Sequence, residues 1–193
     1  KPKISSSTGG DKNKMKRFLT TLMILAAIDA SAQTTLPTSW SFPTTTFPTG
    51  WSASGISYYT GSGNTPPAAK LDNTGDWVQI YFAQTPGALS YYITGNSFVG
   101  GNFDVQESPN GTTWTTLHAF TDSNLPASTY TQYTDTPLSS TRYIRFYYTL
   151  KQAGNVGLDD VSLLAAPSGP QQEINVKFGS TTVLTGGSVY FNS

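Results

Sequence analysis

Thr141-Arg-Tyr-Ile-Arg-Phe-Tyr-Tyr-Thr-Leu150 decides the fold class. Read with a period of two, it places Tyr143, Arg145 and Tyr147 on one face and Arg142, Ile144, Phe146 and Tyr148 on the other, the alternation of a strand whose sides meet different surroundings. One face is mostly apolar and calls for a partner layer. The other mixes rings with charge, as the wet side of an antiparallel sheet does. Asp76-Trp-Val-Gln-Ile-Tyr-Phe82 repeats the pattern, with Trp77, Gln79 and Tyr81 set against Val78, Ile80 and Phe82.

Outward from these two segments, further strands are expected at 56–60, 88–94, 102–108, 112–120, 130–134 and 156–164, with an edge strand inside the Pro/Thr-rich stretch 36–51. The spacing suits a sandwich or barrel. Pro86-Gly87 is a turn pair, and Asn110-Gly111 between two strand patterns predicts a hairpin. Beyond residue 33 no apolar run follows helical spacing, and Thr, Ser, Gly, Tyr and Val dominate. At residue 165 the texture changes to Ala-Ala-Pro-Ser-Gly-Pro-Gln-Gln. We read 167–172 as a linker and 173–193, with strands expected at 173–178 and 188–191, as the start of a second β module.

At the other end, Met15, Lys16 and Arg17 precede an apolar run at 18–28, and Ala30-Ser31-Ala32 precedes Gln33. This is the layout of a secretory signal peptide: a basic n-region, a short apolar h-region and an A-x-A cleavage site. The expected organisation is an upstream extension at 1–14, a signal-peptide helix at 15–32 and a β-sandwich at 33–166. The run is too short for a spanning helix, which needs about 20 apolar residues. Cleavage would remove six of the eleven basic residues and leave five against nine acidic ones, a net charge of −4. A mildly acidic chain with no basic stripe is a poor partner for nucleic acid or for an anionic membrane. With no Cys, stability must come from the core.

Catalytic constellations are sparse. His118 is the one histidine, so a zinc site lacks partners, and no G-x-S-x-G surrounds a serine. A satisfied structural histidine is the expectation. Asp104 and Glu107, three apart in a strand, face opposite sides and cannot act together as a glycosidase pair. The reading is therefore a non-catalytic module. Tyrosine doublets at 58–59, 91–92 and 147–148 each put one ring inward and one outward. The outward rings Tyr59, Tyr92 and Tyr147, with Trp114, are the candidates for a sugar-binding face; the alternative use is core packing and cross-strand pairing.

The succession Phe103-Asp-Val-Gln-Glu-Ser-Pro-Asn-Gly-Thr-Thr-Trp-Thr-Thr-Leu117, then Thr141-Arg-Tyr-Ile-Arg-Phe146, then Gly154-Asn-Val-Gly-Leu-Asp-Asp-Val161 resembles jelly-roll modules of secreted multidomain Bacteroidetes proteins. These are similar in turn to MAM-like domains and carbohydrate-binding jelly rolls. The resemblance spans about 36–164, and Glu173-Ile-Asn-Val-Lys177 resembles the first strand of an Ig-like module. It implies an all-β, antiparallel two-sheet jelly-roll sandwich, secreted or at the cell surface and covalently linked to downstream domains. Such a module serves adhesion, spacing or ligand binding, with an extracellular glycan or cell-surface protein as partner; the alternative is the carbohydrate-binding module of a polysaccharide-degrading enzyme. The resemblance also implies a structural Ca²⁺ held by Asp159 or Asp160. The first-strand acid that usually completes such a site is missing from Ser39-Trp-Ser-Phe-Pro-Thr-Thr-Thr-Phe47. The alternative role for Asp159 and Asp160 is capping of backbone N–H groups or pairing with Arg142 or Arg145.

Overall fold

The computed structural model describes residues 32–168 and the short pairs Lys177–Phe178 and Thr182–Val183; the expected extension, the signal-peptide helix and the strand at 188–191 lie outside the described residues. Every regular element among the described residues is a strand: β1 (Thr38–Trp40), β2 (Trp51–Ser54), β3 (Ser57–Tyr59), β4 (Ala68–Leu71), β5 (Trp77–Tyr81), β6 (Pro86–Val99), β7 (Asn102–Ser108), β8 (Thr115–Phe120), β9 (Thr131–Asp135), β10 (Tyr143–Leu150), β11 (Ala153–Ala165), β12 (Lys177–Phe178) and β13 (Thr182–Val183). The last two pair with each other as a small antiparallel ladder.

The first eleven strands form a two-sheet antiparallel jelly roll. One sheet has six strands in the order β3-β4-β11-β6-β9 with β1 added on β11, and the other has five in the order β2-β5-β10-β7-β8. The chain crosses from sheet to sheet repeatedly, so the apolar face of each strand meets strands distant in sequence. Val78 and Ile80 of β5, Phe103 and Val105 of β7, and Ile144, Phe146 and Tyr148 of β10 point inward from the five-stranded sheet. Leu89, Tyr91 and Ile93 of β6 with Val156, Leu158 and Val161 of β11 face them, all fully buried. Val78, Ile80, Ile144, Phe146 and Tyr148 are among the positions that the alternation of 76–82 and 141–150 groups on the mostly apolar face. Burial of this continuous apolar layer is the main stabilising term in a chain without disulfides.

Several elements differ from the sequence reading, among them β2, which falls at Trp51–Ser54 where no strand was expected. β4 was not expected. Ala68-Ala-Lys-Leu71 is only four residues long and lacks the β-branched residues that mark a strand, and its pairing with both β3 and β11 comes from tertiary position. β6 and β11 run longer than the expected 88–94 and 156–164 because they pair with each other along most of their length. The β7–β8 hairpin is present, but β8 begins at Thr115 rather than at 112. Asn110 Oδ1 instead accepts from Thr112 N (3.0 Å) and Thr113 N (2.9 Å), which folds 109–114 into a compact turn.

Along one edge of β11, β4 pairs with Val156–Leu158 and β1 with Val161–Leu163, both on the side away from β6. Asp159 and Asp160 fall in the gap between those two ladders. The β6 register also breaks between Asp159 and Ser162, and Asp160 takes a left-handed φ of 43°. This is a bulge, and it re-aims two consecutive carboxylates.

Candidate functional site

The outer face of the five-stranded sheet carries three cross-strand rows fixed by register. Tyr81 lies opposite Tyr143, which lies opposite Ser108. The next row runs Ser52, Gln79, Arg145, Gln106 and Thr116, and the third runs Ser54, Trp77, Tyr147, Asp104 and Ala119. Arg145 is at the centre, and its guanidinium donates through Nε (3.1 Å) and Nη2 (2.6 Å) to Gln106 Oε1.

Trp114 reaches this face from the β7–β8 turn. The turn lies close over β10: at Gly111, whose φ is 74°, a Cβ would sit 3.0 Å from the Tyr143 ring. Only glycine suits both the backbone and the space. The result is a clamp. The Arg145 guanidinium carbon lies 4.0 Å from the Trp114 ring centroid and 4.3 Å from that of Tyr147, distances at which a cation and a π face attract. Beside it, the Tyr81 and Tyr143 rings stack at 4.3 Å with 7° between planes, and Trp114 meets Tyr143 edge-on at 6.3 Å. Trp77, Tyr81, Trp114, Tyr143, Arg145 and Tyr147 are all half-buried. Each is partly covered by its neighbours and partly in contact with solvent.

Partial burial shapes the electrostatics here. It lowers the pKa of Arg145 and raises that of Asp104, in the latter case against a hydrogen bond from Gln106. Among the described residues Arg145 has no carboxylate partner, since the ion pairs formed there are Lys70–Asp72 and His118–Asp135. A guanidinium has five N–H donors, so bonding capacity remains beyond Gln106.

Of the four ring candidates, Trp114 and Tyr147 are brought together on this face and Tyr59 and Tyr92 are not. Tyr92 lies on β6 of the other sheet, opposite both Asp159 and Gln132. Tyr59 lies on β3 with Lys70 5.7 Å from its centroid. The doublets divide as expected for Tyr91–Tyr92 and Tyr147–Tyr148, whose inner members are fully buried, whereas Tyr58 is only half-buried beside Tyr59. The sequence reading had Trp77, Tyr81, Tyr143 and Arg145 on outward faces but did not join them into a site. The missing information was that β5 and β10 are neighbours.

Asp159 is fully buried. Its Oδ2 accepts from Thr65 N and its Oδ1 from Asp160 N, both at 2.8 Å, while Asp160 Oδ2 accepts from Asn64 Nδ2 (2.8 Å) and Thr65 Oγ1 (3.0 Å). Burial pushes Asp159 up to about 6 despite these donors. The pair therefore latches the loop before β4 onto the gap in the β11 edge. This is the capping role; the expected pairing with Arg142 or Arg145 is not formed, because Arg145 lies on the other sheet and Arg142 donates to the carbonyls of Ser139 and Thr141. Calcium takes six to eight oxygens. Two carboxylates meet here, and among the described residues no cluster of three or more His, Cys, Asp or Glu side chains forms.

The remaining titratable groups are tied into the structure. His118 Nδ1 lies 3.1 Å from Asp135 Oδ1, Tyr91 Oη donates to Asp135 Oδ2 at 2.8 Å, and the His118 ring stacks on Phe120 at 4.3 Å. This chain links edge strand β8 of one sheet to edge strand β9 of the other. Burial raises the Tyr91 phenol far above its ordinary value. Glu107 is buried and accepts from Leu138 N (2.8 Å) and Thr141 Oγ1 (2.6 Å), on the side of β7 away from Asp104.

No protein-family model matches the chain, and no curated protein matches it significantly in sequence. Solved structures do resemble it. The K1 cleaved adhesin domain of Lys-gingipain from Porphyromonas gingivalis W83 aligns with a TM-score of 0.53 at 16% identity, over 67% of this chain and 98% of that one. The K2 domain of Lys-gingipain aligns at 0.51 and 13%, over 68% and 99%, and the K3 domain at 0.52 and 14%, over 66% and 96%. At such identities the likeness is one of fold: the sandwich is similar in architecture to the cleaved adhesin domains of a gingipain.

Proposed function

We propose that the chain is a secreted, non-catalytic binding module and that its ligand is a glycan held on the outer face of the five-stranded sheet. The observation that carries this reading is the set of half-buried rings around Arg145. Trp114 and Tyr147 are fixed in place by the guanidinium packed on one face of each, Tyr81 and Tyr143 brace each other, and Gln79, Gln106 and Asp104 supply polar atoms in the same rows. A sugar ring offers an apolar C–H face to aromatic rings and hydroxyls to amides, carboxylates and guanidinium. A pre-braced platform accepts it with little loss of side-chain freedom.

The similarity to domains described as adhesins supports a binding role. The engagement of His118, Glu107 and Asp135 in structural hydrogen bonds supports the non-catalytic part. Surface adhesion within a larger extracellular protein is the setting we assign, and the motifs at 15–32 support secretion.

The test is a glycan array read with the purified protein beside its Trp114→Ala variant. Wild-type binding to at least one polysaccharide, reduced roughly tenfold or more in the variant, is expected, because an aromatic contact at a binding centre contributes about 1–2 kcal/mol or more. Binding that survives the loss of Trp114 would place the ligand elsewhere. No binding to any glycan would leave adhesion through protein contacts or a spacing role.

A further inference from the structure

Along the three rows on the outer face of the five-stranded sheet, the charged side chains are Arg145 and Asp104. They do not pair. Asp104 Oδ2 accepts from Gln106 Nε2 at 3.5 Å, and among the described residues no ion pair reaches the guanidinium. Arg145 is half-buried and commits Nε and Nη2 to the neutral Gln106 Oε1. Its Nη1 makes no hydrogen bond among the described residues and is not closed off from solvent. The same holds for both amide atoms of Gln79, which lies directly opposite Arg145 on β5. An open, donor-only cation therefore stands beside an open amide in the middle of a platform of rings.

The other cations of the sandwich are answered differently. Lys70 pairs with Asp72 at 2.8 Å, while Arg142 and Lys151 donate to backbone carbonyls. Arg145 instead has two rings and an amide, which attract a cation but carry no charge. Taking a charge partly out of water without a counter-ion is unfavourable, so a bound anion would gain the full interaction. A guanidinium offers N–H donors in a fixed fork that matches the two oxygens of a carboxylate. Rings for the rest of a sugar acid stand next to it: Trp77, opposite Tyr147, is half-buried and packs against no other ring among the described residues. General attraction for polyanions is not at work, because residues 33–193 carry five basic side chains against nine acidic ones. A preference for an acidic ligand has to come from this one guanidinium.

We propose that this face selects acidic polysaccharide, with the carboxylate of a uronic acid residue held by the Arg145 guanidinium beside the Gln79 amide and the sugar ring lying on the neighbouring aromatic side chains. The inference rests on the reading of the face as a glycan platform and names the class of sugar it takes. Arg145 and Gln79 are then its specificity-determining pair.

The experiment is a calorimetric titration of the protein, in EDTA, with polygalacturonate, alginate and glucuronoxylan, each beside its carboxyl-reduced counterpart. Reduction turns the carboxylate into a hydroxymethyl group and leaves both the ring and the protein unchanged. At least one polyuronate should bind roughly tenfold or more tightly than its reduced form, the scale of a charge-assisted hydrogen bond. Gln79→Glu supplies the missing carboxylate from within, because directly opposed residues have Cβ atoms about 5 Å apart. It should bring the ratio of the two affinities to one or below, while Trp114→Ala should weaken both forms. Equal affinity for acid and reduced forms, both weakened in Trp114→Ala, would overturn the uronate assignment and leave the glycan platform standing. No binding to these polymers or to any other glycan would overturn both. An acid preference that persists in Gln79→Glu would overturn the role of the Arg145–Gln79 pair, and tighter binding to the sulfated polymer carrageenan than to every polyuronate would overturn the choice of carboxylate.

Discussion

Arg145 shows why residue identity, and not charge alone, governs the candidate face. Its plane fits between the Trp114 and Tyr147 rings, and its fork gives two bonds to one oxygen of Gln106. Lysine would keep the charge but has neither plane nor fork, so the exchange is not conservative. Arg145→Lys is expected to destabilise the protein by about 1–2 kcal/mol, the sum of a weakened cation–π contact and a lost charged hydrogen bond. Denaturant unfolding reads this as a lowered midpoint at unchanged slope. An unchanged midpoint would mean that the rings hold their positions without the cation. Alternation alone put Arg145 beside Tyr143 and Tyr147 on one outward face. That Trp114 folds back over the guanidinium was not legible, because it depends on the conformation of 109–114 and on the glycine that lets this turn approach Tyr143.

At the level of elements, the informative feature is the gap on β11 between the β4 and β1 ladders. Consecutive aspartates in a strand were visible as an anomaly, but the reason for them was not. β4 carries no clear strand pattern, so the edge it leaves open could not be located. Asp159 and Asp160 satisfy the loop donors at that opening. Burial holds Asp159 near 6 against an ordinary 3.8, so the folded chain retains a proton that the unfolded chain releases. Stability is then favoured below 3.8 and falls as pH rises towards about 6, above which both states are ionised. Asp104, also raised by burial, works in the same direction, and Asp72, lowered by Lys70, works in the opposite one. Melting curves across this window should show the decline, and Asp159→Asn should flatten it. The same melts with EDTA and then with excess Ca²⁺ should share one midpoint if the latch is made of hydrogen bonds alone. A calcium-dependent rise would make Asp159 and Asp160 metal ligands, with the loop donors displaced.

For the whole molecule, closure depends on strands from the two ends of the sandwich. β1 pairs Thr38 with Leu163 and Trp40 with Val161, and Trp40 is 7% exposed, packed against Phe42 (4.4 Å), Phe47 (5.1 Å) and Trp51 (5.7 Å). Trp51 Nε1 donates to Thr38 Oγ1 at 3.0 Å, so β1 is tied to both sheets. Removing the indole in Trp40→Ala should cost about 3–5 kcal/mol, as large core truncations do. Such a loss is a large share of a domain's total stability, so Trp40→Phe serves as the milder variant for kinetics. Pairings this distant in sequence carry a high loop-closure cost, and β5, β10 and β7 can associate without them. We therefore expect β1 to dock after the main barrier. In Trp40→Phe the unfolding rate should rise by nearly the full equilibrium change while the refolding rate stays close to wild type, read from the two arms of a chevron. A refolding arm slowed in proportion to the lost stability would instead place β1 in the folding nucleus, with closure of the six-stranded sheet as the step that organises the sandwich.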